Sequence, residues 1–500
     1  MEEAQKQNTS ALEEKVLTPE TWDTIFSNTK QTSKSEVEDL VKTFTRALGD
    51  KMVSRSANVT RSFKSAYEVI DSTISRQLAE VMHSEKFQKL EGSWRGLKYL
   101  IDNSEVGVDL KIKVFNCKKQ ELKDDLANAA DFDQSLFFRK IYEDEFGTPG
   151  GVPFAAMIGD YEFENHPEDI QMLRKVSQVS AAAFCPFIAS TSCKMLGLSS
   201  WNDLNRPMDI KSVFDQKKYA AWNSFRESDE SRFVVLTMPR TLARYPYGKN
   251  TARVKEFEYE EVPLGPGGES ITVDHDRYCW MSTAFVLGSK LTDSYARTGF
   301  CTSIRGAENG GKVEQLPVHT VSTEDGDEKV KCPTEVLIRD RREKELSDCG
   351  FLALCNYKDK DYSVFFGGQT AQKAKSYIGK DGDYATENAK ITARLPYIMA
   401  VSRFSHYLKV MARDWIGSAM SETDTQKRLN NWLMCYVSPG DPSPEVKARK
   451  PLKDASIEVK PIPGKPGEYN ATIKMQPHLH MEALTTSMQL VTRLKQGAGG

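Results

Sequence analysis

The chain begins with stretches whose apolar residues recur at helical spacing. Leu17, Thr18, Pro19 and Glu20, followed by Trp22, Ile25 and Phe26, form a helix start. Thr18 stands as N-cap and Pro19 as first helical residue, Glu20 meets the positive end of the helix dipole, and Leu17 against Trp22 makes a hydrophobic staple. Polar sequence flanks this short helix, which is not stable alone, so the pattern predicts that it docks on something. Val37, Leu40, Val41, Phe44 and Leu48 mark a second helix, capped by Ser35 and closed by Gly49. Phe63, Tyr67, Ile70, Ile74, Leu78 and Val81 stripe a third, the amphipathic face of a helix that packs on a core or a partner.

From about residue 105 the pattern changes. VGVDLKIKVF, residues 106–115, alternates as a strand, while VPFAAMIGDYEF and SRFVVLTMP read as buried strands with the helical DIQMLRKVSQVSAAAF between them. SKLTDSYARTGF and TEVLIRDRREKELSDCGFLAL again mix helix and strand, and EVPLGPGGES, RGAENGGK and STEDGDEK read as surface loops. A Gly and Asp cluster at 379–389 marks a boundary before two helical runs, SRFSHYLKVMARDWIG and DTQKRLNNWLMCYV. The tail then turns strand-like. Ala455, Ile457 and Val459 alternate with polar residues, PIPGKPGE supplies a turn, and Tyr469, Ala471, Ile473 and Met475 alternate on the return, which is a hairpin. A third run carries Leu479, Met481, Met488, Leu490 and Leu494. The expected fold class is α+β.

Composition removes several functions. With 68 basic against 70 acidic residues the net charge is −2, which names neither nucleic acid nor an anionic membrane as partner. No stretch is long and apolar enough for a membrane span, the polar N-terminus has no secretory pattern, and the expected location is the cytosol. Nine cysteines without a CxxC pair predict reduced thiols packed as small hydrophobes, and no structural zinc.

Candidate chemistry is sparse. Gly306 to Lys312 satisfies the GxxxxGK spacing of a phosphate-cradling loop, but Val313 stands where magnesium requires Ser or Thr, and Glu308 within the loop repels phosphate. The following sequence reads as strand or loop rather than the helix such a site needs. His478 and His480 share one strand face without a third ligand and are expected to be exposed strand histidines. Asp160 and Glu162 form a weak carboxylate dyad. Arg339 to Glu345 is a dense mixed-charge run, expected to be a solvated helix face with internal ion pairs or an intersubunit network. No nucleophile motif accompanies any Ser or Cys. The expectation is a non-enzymatic chain without cofactor or metal. An open C-terminal sheet edge is either covered within the chain or filled by another chain.

Six segments carry a family likeness: FQKLEGSWRGLKYL, IGDYEF, SRFVVLTMPRTLARYPYG, IRGAENGGKVEQLPVH, PTEVLIRDRREKELSDCGFLAL and SRFSHYLKVMARD. In these, in their order, and in the closing strands, the chain resembles the type VI secretion contractile sheath large subunit, the TssC, VipB or EvpB family. The resemblance implies a structural protein that pairs with a small sheath subunit of TssB or VipA type. The pair polymerises around the Hcp inner tube, docks on a membrane-anchored baseplate in the bacterial cytoplasm, and contracts to propel the tube. It implies a helical arm at residues 1–60, a large sheath domain at 61–380, and a sheath-core domain at 381–500. Leu17, Trp22, Ile25 and Phe26 become the candidate contact for a ClpV-type AAA+ unfoldase or for the small subunit. Ile457, Val459, Ile473, Met475, Leu479, Met481, Met488 and Leu490 become the candidate strand-pairing positions between subunits. The sheath of a related contractile phage-like particle is the alternative, and a nucleotide-binding enzyme using Gly306 to Lys312 the remote one.

Overall fold

The computed structural model describes residues 59–248, 251–255, 257, 259–261, 275–322, 328–358, 360–378, 382–418, 420–463 and 469–478, with Ser35 and Asp39. The helix expected at residues 17–26, most of the one at 35–48, and the run from Leu479 to Leu494 lie outside these residues. The described elements in chain order are α1 (Val59–Met82), α2 (Glu85–Asp102), α3 (Lys119–Asn128), β1 (Met157–Phe163), α4 (Pro167–Ala183), β2 (Phe187–Thr191), β3 (Val234–Met238), β4 (Thr241–Leu242) and β5 (Trp280–Met281). They continue as α5 (Thr283–Thr298), β6 (Lys312–Glu314), β7 (His319–Ser322), β8 (Glu328–Lys331), α6 (Asp340–Asp348), β9 (Phe351–Asn356) and β10 (Tyr362–Phe365). The last are α7 (Gly382–Thr392), α8 (Leu395–Asp414), α9 (Glu422–Met434), α10 (Pro444–Arg449), β11 (Leu452–Pro461) and β12 (Tyr469–Pro477). Short single-turn helices fill several connections. The fold is α+β, as expected.

The chain divides into two units, one within Met1–Arg95, Thr241–Met281 and Leu316–Glu335, the other within Gly96–Arg240, Ser282–Gln315 and Val336–Gly500. The larger is built on a six-stranded sheet of order β1-β2-β3-β9-β10-β6, parallel through β9 and antiparallel beyond it. Its central strands are buried on both faces, which is why their sequences run apolar without alternation. Phe187, Ala189, Val234, Leu236, Phe351 and Ala353 face one core with Leu173 and Val176 of α4. The intervening residues face α5, whose N-cap Ser282 bonds to Ser190 at 2.7 Å. At Gly288 a Cβ would stand 2.4 Å from Ile158 Cδ1, so only glycine lets α5 approach β1 this closely.

The smaller unit is fastened by charge. Arg244 donates to Glu91 at 2.7 Å and to both oxygens of Glu261 at 2.6 and 3.1 Å. Arg95 also donates to Glu91, and His83 and the Tyr247 amide bond to Glu261. Burial alone would raise the pKa of Glu261, but the hydrogen bonds of His83 and Arg244 outweigh it and hold the carboxyl at about 2. The strands β7 and β8 form a hairpin here that the sequence reading did not contain.

One expected element changes. Residues 106–115 are not a strand: they join no ladder, and Val108 and Val114 are exposed. The alternation is present, but α2 and α3 flank it and no described strand pairs with it. On α1 the stripe, expected to pack on a core or a partner, is exposed in the single chain at Tyr67, Ile70, Ile74 and Val81.

Candidate intersubunit interface

The C-terminal hairpin expected from alternation is present and pairs Ala455 with Met475, Ile457 with Ile473 and Val459 with Ala471. Ala455, Ile457 and Val459 are buried against Phe404 and Leu408 of α8 and Leu429 and Leu433 of α9, with Ile473 and Met475 packed at the margin. On the other face Glu458 and Lys460 pair at 2.9 Å, and that hydrogen bond keeps the Glu458 carboxyl below its usual range. The underlying helices are well terminated. Ser421 caps α9 by accepting from the Asp424 amide at 3.2 Å, and Pro396 opens α8. His406 of α8 bonds through Nε2 to the Ala183 carbonyl at 2.9 Å; since a carbonyl only accepts, Nε2 carries the proton. Burial lowers its pKa to about 4, so the ring is neutral.

The two edges of this hairpin differ. On β11 the Ile457 amide donates to Asn430 Oδ1 at 2.9 Å, the Asn430 side-chain amide donates to the Ile457 carbonyl at 3.2 Å, and the Val459 amide donates to Gln426 Oε1 at 3.1 Å. Asp454 Oδ1 takes the Ala455 amide at 2.9 Å. Side chains of α9 thus occupy the places a neighbouring strand would fill. Antiparallel pairs alternate between bonded and non-bonded; Ile457 and Val459 point outward, so their partners Ile473 and Ala471 do too. Those backbone groups on β12, with Met475, meet no partner among the described residues. Among the described residues the hairpin is closed on β11 and open on β12.

The other sequence candidates do not assemble a catalytic site. The 306–312 segment is a turn: Gly306 and Gly310 have φ of 76° and 84°, Gly306 donates to the Phe365 carbonyl at 2.7 Å, and Lys312 opens strand β6 with its ammonium on Glu314. No helix follows to receive phosphate. Asp160 and Glu162 lie on β1 with exposed side chains, and Glu162 pairs with Arg240 at 3.4 Å. Arg339 precedes α6, where Arg341 and Arg342 both pair with Glu345, and Arg342 further binds the carbonyls of Met208 and Arg206. That run is part solvated face and part tether. His478 is buried rather than exposed, its amide bonded to the Pro451 carbonyl at 2.9 Å. Burial and nearby Lys447 and Lys453 lower its pKa. His480, Leu479, Met481, Met488, Leu490 and the segment of Leu17, Trp22, Ile25 and Phe26 lie outside the described residues. Among the described residues no three His, Cys, Asp or Glu side chains cluster to hold a metal, no helix is long and apolar enough to cross a membrane, and Cys185, Cys279, Cys349 and Cys355 are buried free thiols. The residues that sequence reasoning missed are Gln426 and Asn430. Their only signal is an amide pair at i, i+4 beside buried Leu429 and Leu433.

The sequence matches the family described as EvpB/VC_A0108 tail sheath, its N-terminal domain over residues 64–372 and its gpW/gp25-like domain over residues 384–494. It is 40% identical over 474 residues to the type VI secretion system sheath protein TssC1 of Pseudomonas aeruginosa, covering 94% of this chain and 93% of that protein. Among solved structures it aligns with a chain of the anti-feeding prophage baseplate at TM-score 0.35 and 10% identity, covering 65% of this chain and 66% of that one. A second alignment, to the contracted helical sheath of the same particle, has TM-score 0.28 and 11% identity over 63% and 66% of the two chains. Neither score is high enough to bear on the argument. The two family matches and the 40% identity do bear on it: this chain belongs to the type VI secretion contractile sheath large-subunit family.

Proposed function

We propose that the chain pairs with a small sheath subunit of TssB or VipA type and polymerises as a helical sheath around an Hcp tube. The sheath docks on a baseplate in the bacterial cytoplasm and contracts to drive the tube forward. The observation that supports this best is the one-sided hairpin. A sheet closed by Asn430 and Gln426 and open at Ala471, Ile473 and Met475 accepts a strand in one direction only, as a subunit joined to successive neighbours requires. Such joints let rigid bodies rotate while the chain of contacts holds, and a small free-energy difference per subunit between two packings sums to work over a long polymer. In this reading residues 1–60 are an arm, 61–380 the large sheath domain and 381–500 the sheath core. Leu17, Trp22, Ile25 and Phe26 contact a ClpV-type unfoldase or the small subunit. Leu479, Met481, Met488 and Leu490 extend intersubunit pairing from the edge at Ile473 and Met475, while Ile457 and Val459, expected as pairing positions too, lie on the edge that Asn430 and Gln426 occupy. Nothing in it calls for catalysis.

Co-expression with the small subunit followed by electron microscopy tests it. Tubules are expected from the wild-type pair, and Ile473→Pro, which removes one outward N–H from β12, leaves soluble pairs without tubules. Tubules of normal length from Ile473→Pro would refute strand addition at this edge.

A further inference from the structure

Helix α8 has two working faces. At about 100° per residue Phe404, Leu408 and Met411 share one side, which packs under Ala455, Ile457 and Val459 of the hairpin, while His406, Lys409 and Arg413 share the opposite side. That second side meets residues matched by the family's N-terminal domain, within the same compact unit of the chain. Arg139–Gly147 form a π-helix there, and its i→i+5 bonding leaves one carbonyl more without a partner at the end than an α-helix does. Thr148 Oγ1 donates to the Glu143 carbonyl at 2.6 Å, and Arg413 donates to two further carbonyls, those of Phe146 at 2.6 Å and Thr148 at 2.8 Å. The Lys409 ammonium donates to Tyr142 Oη at 2.9 Å and stands 3.6 Å from the centre of the Phe146 ring and 4.4 Å from that of Tyr142. His406 donates to the carbonyl of Ala183, the last residue of α4, at 2.9 Å. Donors on α8 thus take up carbonyls at the C-terminal ends of two helices, where the dipole also favours the cation of Arg413.

An apolar contact joins the same two parts of the chain: the Phe300 ring lies 5.3 Å from that of Phe404. Apolar attraction is non-directional and permits tilting, whereas hydrogen bonds weaken steeply off line and so fix an angle. We infer that Lys409 and Arg413 are positioning residues for the open edge of β12. They lock α8 at one angle on the large sheath domain, and because α8 carries the hairpin on its other face, the edge is presented to the next subunit in a single direction. This rests on strand addition at β12, proposed above, and names the side chains that aim it. Both act through α8, on whose far side the hairpin lies.

Electron microscopy of the chain co-expressed with the small subunit, together with hydrogen exchange on the unassembled full-length chain, tests the inference. In Lys409→Met combined with Arg413→Met, total tubule length is expected to fall about tenfold or more. Exchange at the Ile457 amide is expected to stay within about twofold of wild type, because the hairpin and its closure by Asn430 are untouched. Lys409→Arg keeps a cation over the two rings and assembles as wild type, and Arg413→Lys, which cannot fork onto two carbonyls, falls between. Arg403→Met, on the same helix but against Tyr407 of that helix, leaves assembly unchanged. Where the double variant does not fold, Lys409→Met alone is read by the same two measurements and is expected to shorten tubules about threefold. Tubules of wild-type length from a folded variant overturn the inference and leave strand addition standing. Tubule loss accompanied by faster exchange at Ile457 overturns it too, since that is loss of stability rather than of aim. Normal tubules from Ile473→Pro overturn strand addition itself, and the inference with it.

Discussion

The closed edge of β11 yields a quantitative prediction. Asn430→Ala removes both the acceptor for the Ile457 amide and the donor to its carbonyl. Ile457 is 2% exposed, and each buried backbone group left without a partner costs about 1–3 kcal/mol. Shortening Asn430 admits some solvent to that edge, so the lower end applies to each group and the sum is about 2 kcal/mol. Local opening at β11 then becomes about 30-fold more frequent, since 1.4 kcal/mol is a factor of ten. Amide exchange at Ile457 in the unassembled chain reads this directly, because opening of the strand rather than of the whole molecule limits it. Asn430→Asp keeps an acceptor for the amide and loses the donor, so its effect is intermediate. Asn431→Ala, one position along on the exposed side of α9, leaves the exchange unchanged. Exchange at Ile457 within about twofold of wild type in Asn430→Ala would show that the side chain is not acting as a strand surrogate.

Three further outcomes are expected. Lys312→Ala loses an exposed pair with Glu314 and a position 4.4 Å from the Tyr362 ring, so stability in a denaturant melt is little changed. Calorimetry finds no ATP binding in either protein, and binding lost only in the variant would restore the phosphate-loop reading. Gly96→Ala puts a Cβ 2.3 Å from the Phe285 ring, an overpacking worth about 1–3 kcal/mol in a denaturant melt. Glu261 titrates at about 2 against a usual 4.5. A carboxyl depressed in the folded state stabilises fully above its unfolded pKa and loses that contribution as pH falls through the folded one. The difference of 4.5 less about 2 corresponds to about 3 kcal/mol. Denaturation followed from pH 5 to about pH 2 should therefore show a slope that Glu261→Gln flattens.

Helices and strands with one buried face were legible from periodicity alone, as in α8, α9 and the two strands of the C-terminal hairpin. The buried strands β3 and β9 were legible by the opposite sign, an unbroken apolar run, whereas β2 at Phe187–Thr191, short and ending in Ser190 and Thr191, was not read. The hairpin of His319–Ser322 and Glu328–Lys331 was not, because its short strands carry few apolar residues and flank a segment that reads as a loop. Asn430 was invisible as a functional position for a different reason. Its partner lies 27 residues away on another element, and an amide on a helix face has no sequence feature that distinguishes solvation from service to a backbone edge. The Gly306 turn was decided by one residue: Val313 has no hydroxyl, and the structure continues from it as strand.

The disagreement at residues 106–115 has a different origin. Alternation reports that a segment has two unlike faces; it does not report which chain supplies the neighbouring backbone. The same period-two signal occurs at 455–475 and at 106–115. In the first case a turn follows and the return strand lies within reach, so the ladder closes inside the chain. In the second, helices stand on both sides in sequence, since α2 ends at Asp102 and α3 begins at Lys119, and no strand among the described residues forms a ladder with it. Intrinsic β preference is therefore not what separates them. In a self-contained protein the unpaired segment would be a conflict between local pattern and global fold, which folding landscapes select against. In a sheath-family chain, whose relatives are subunits, the conflict is removed wherever a neighbouring chain supplies the missing ladder.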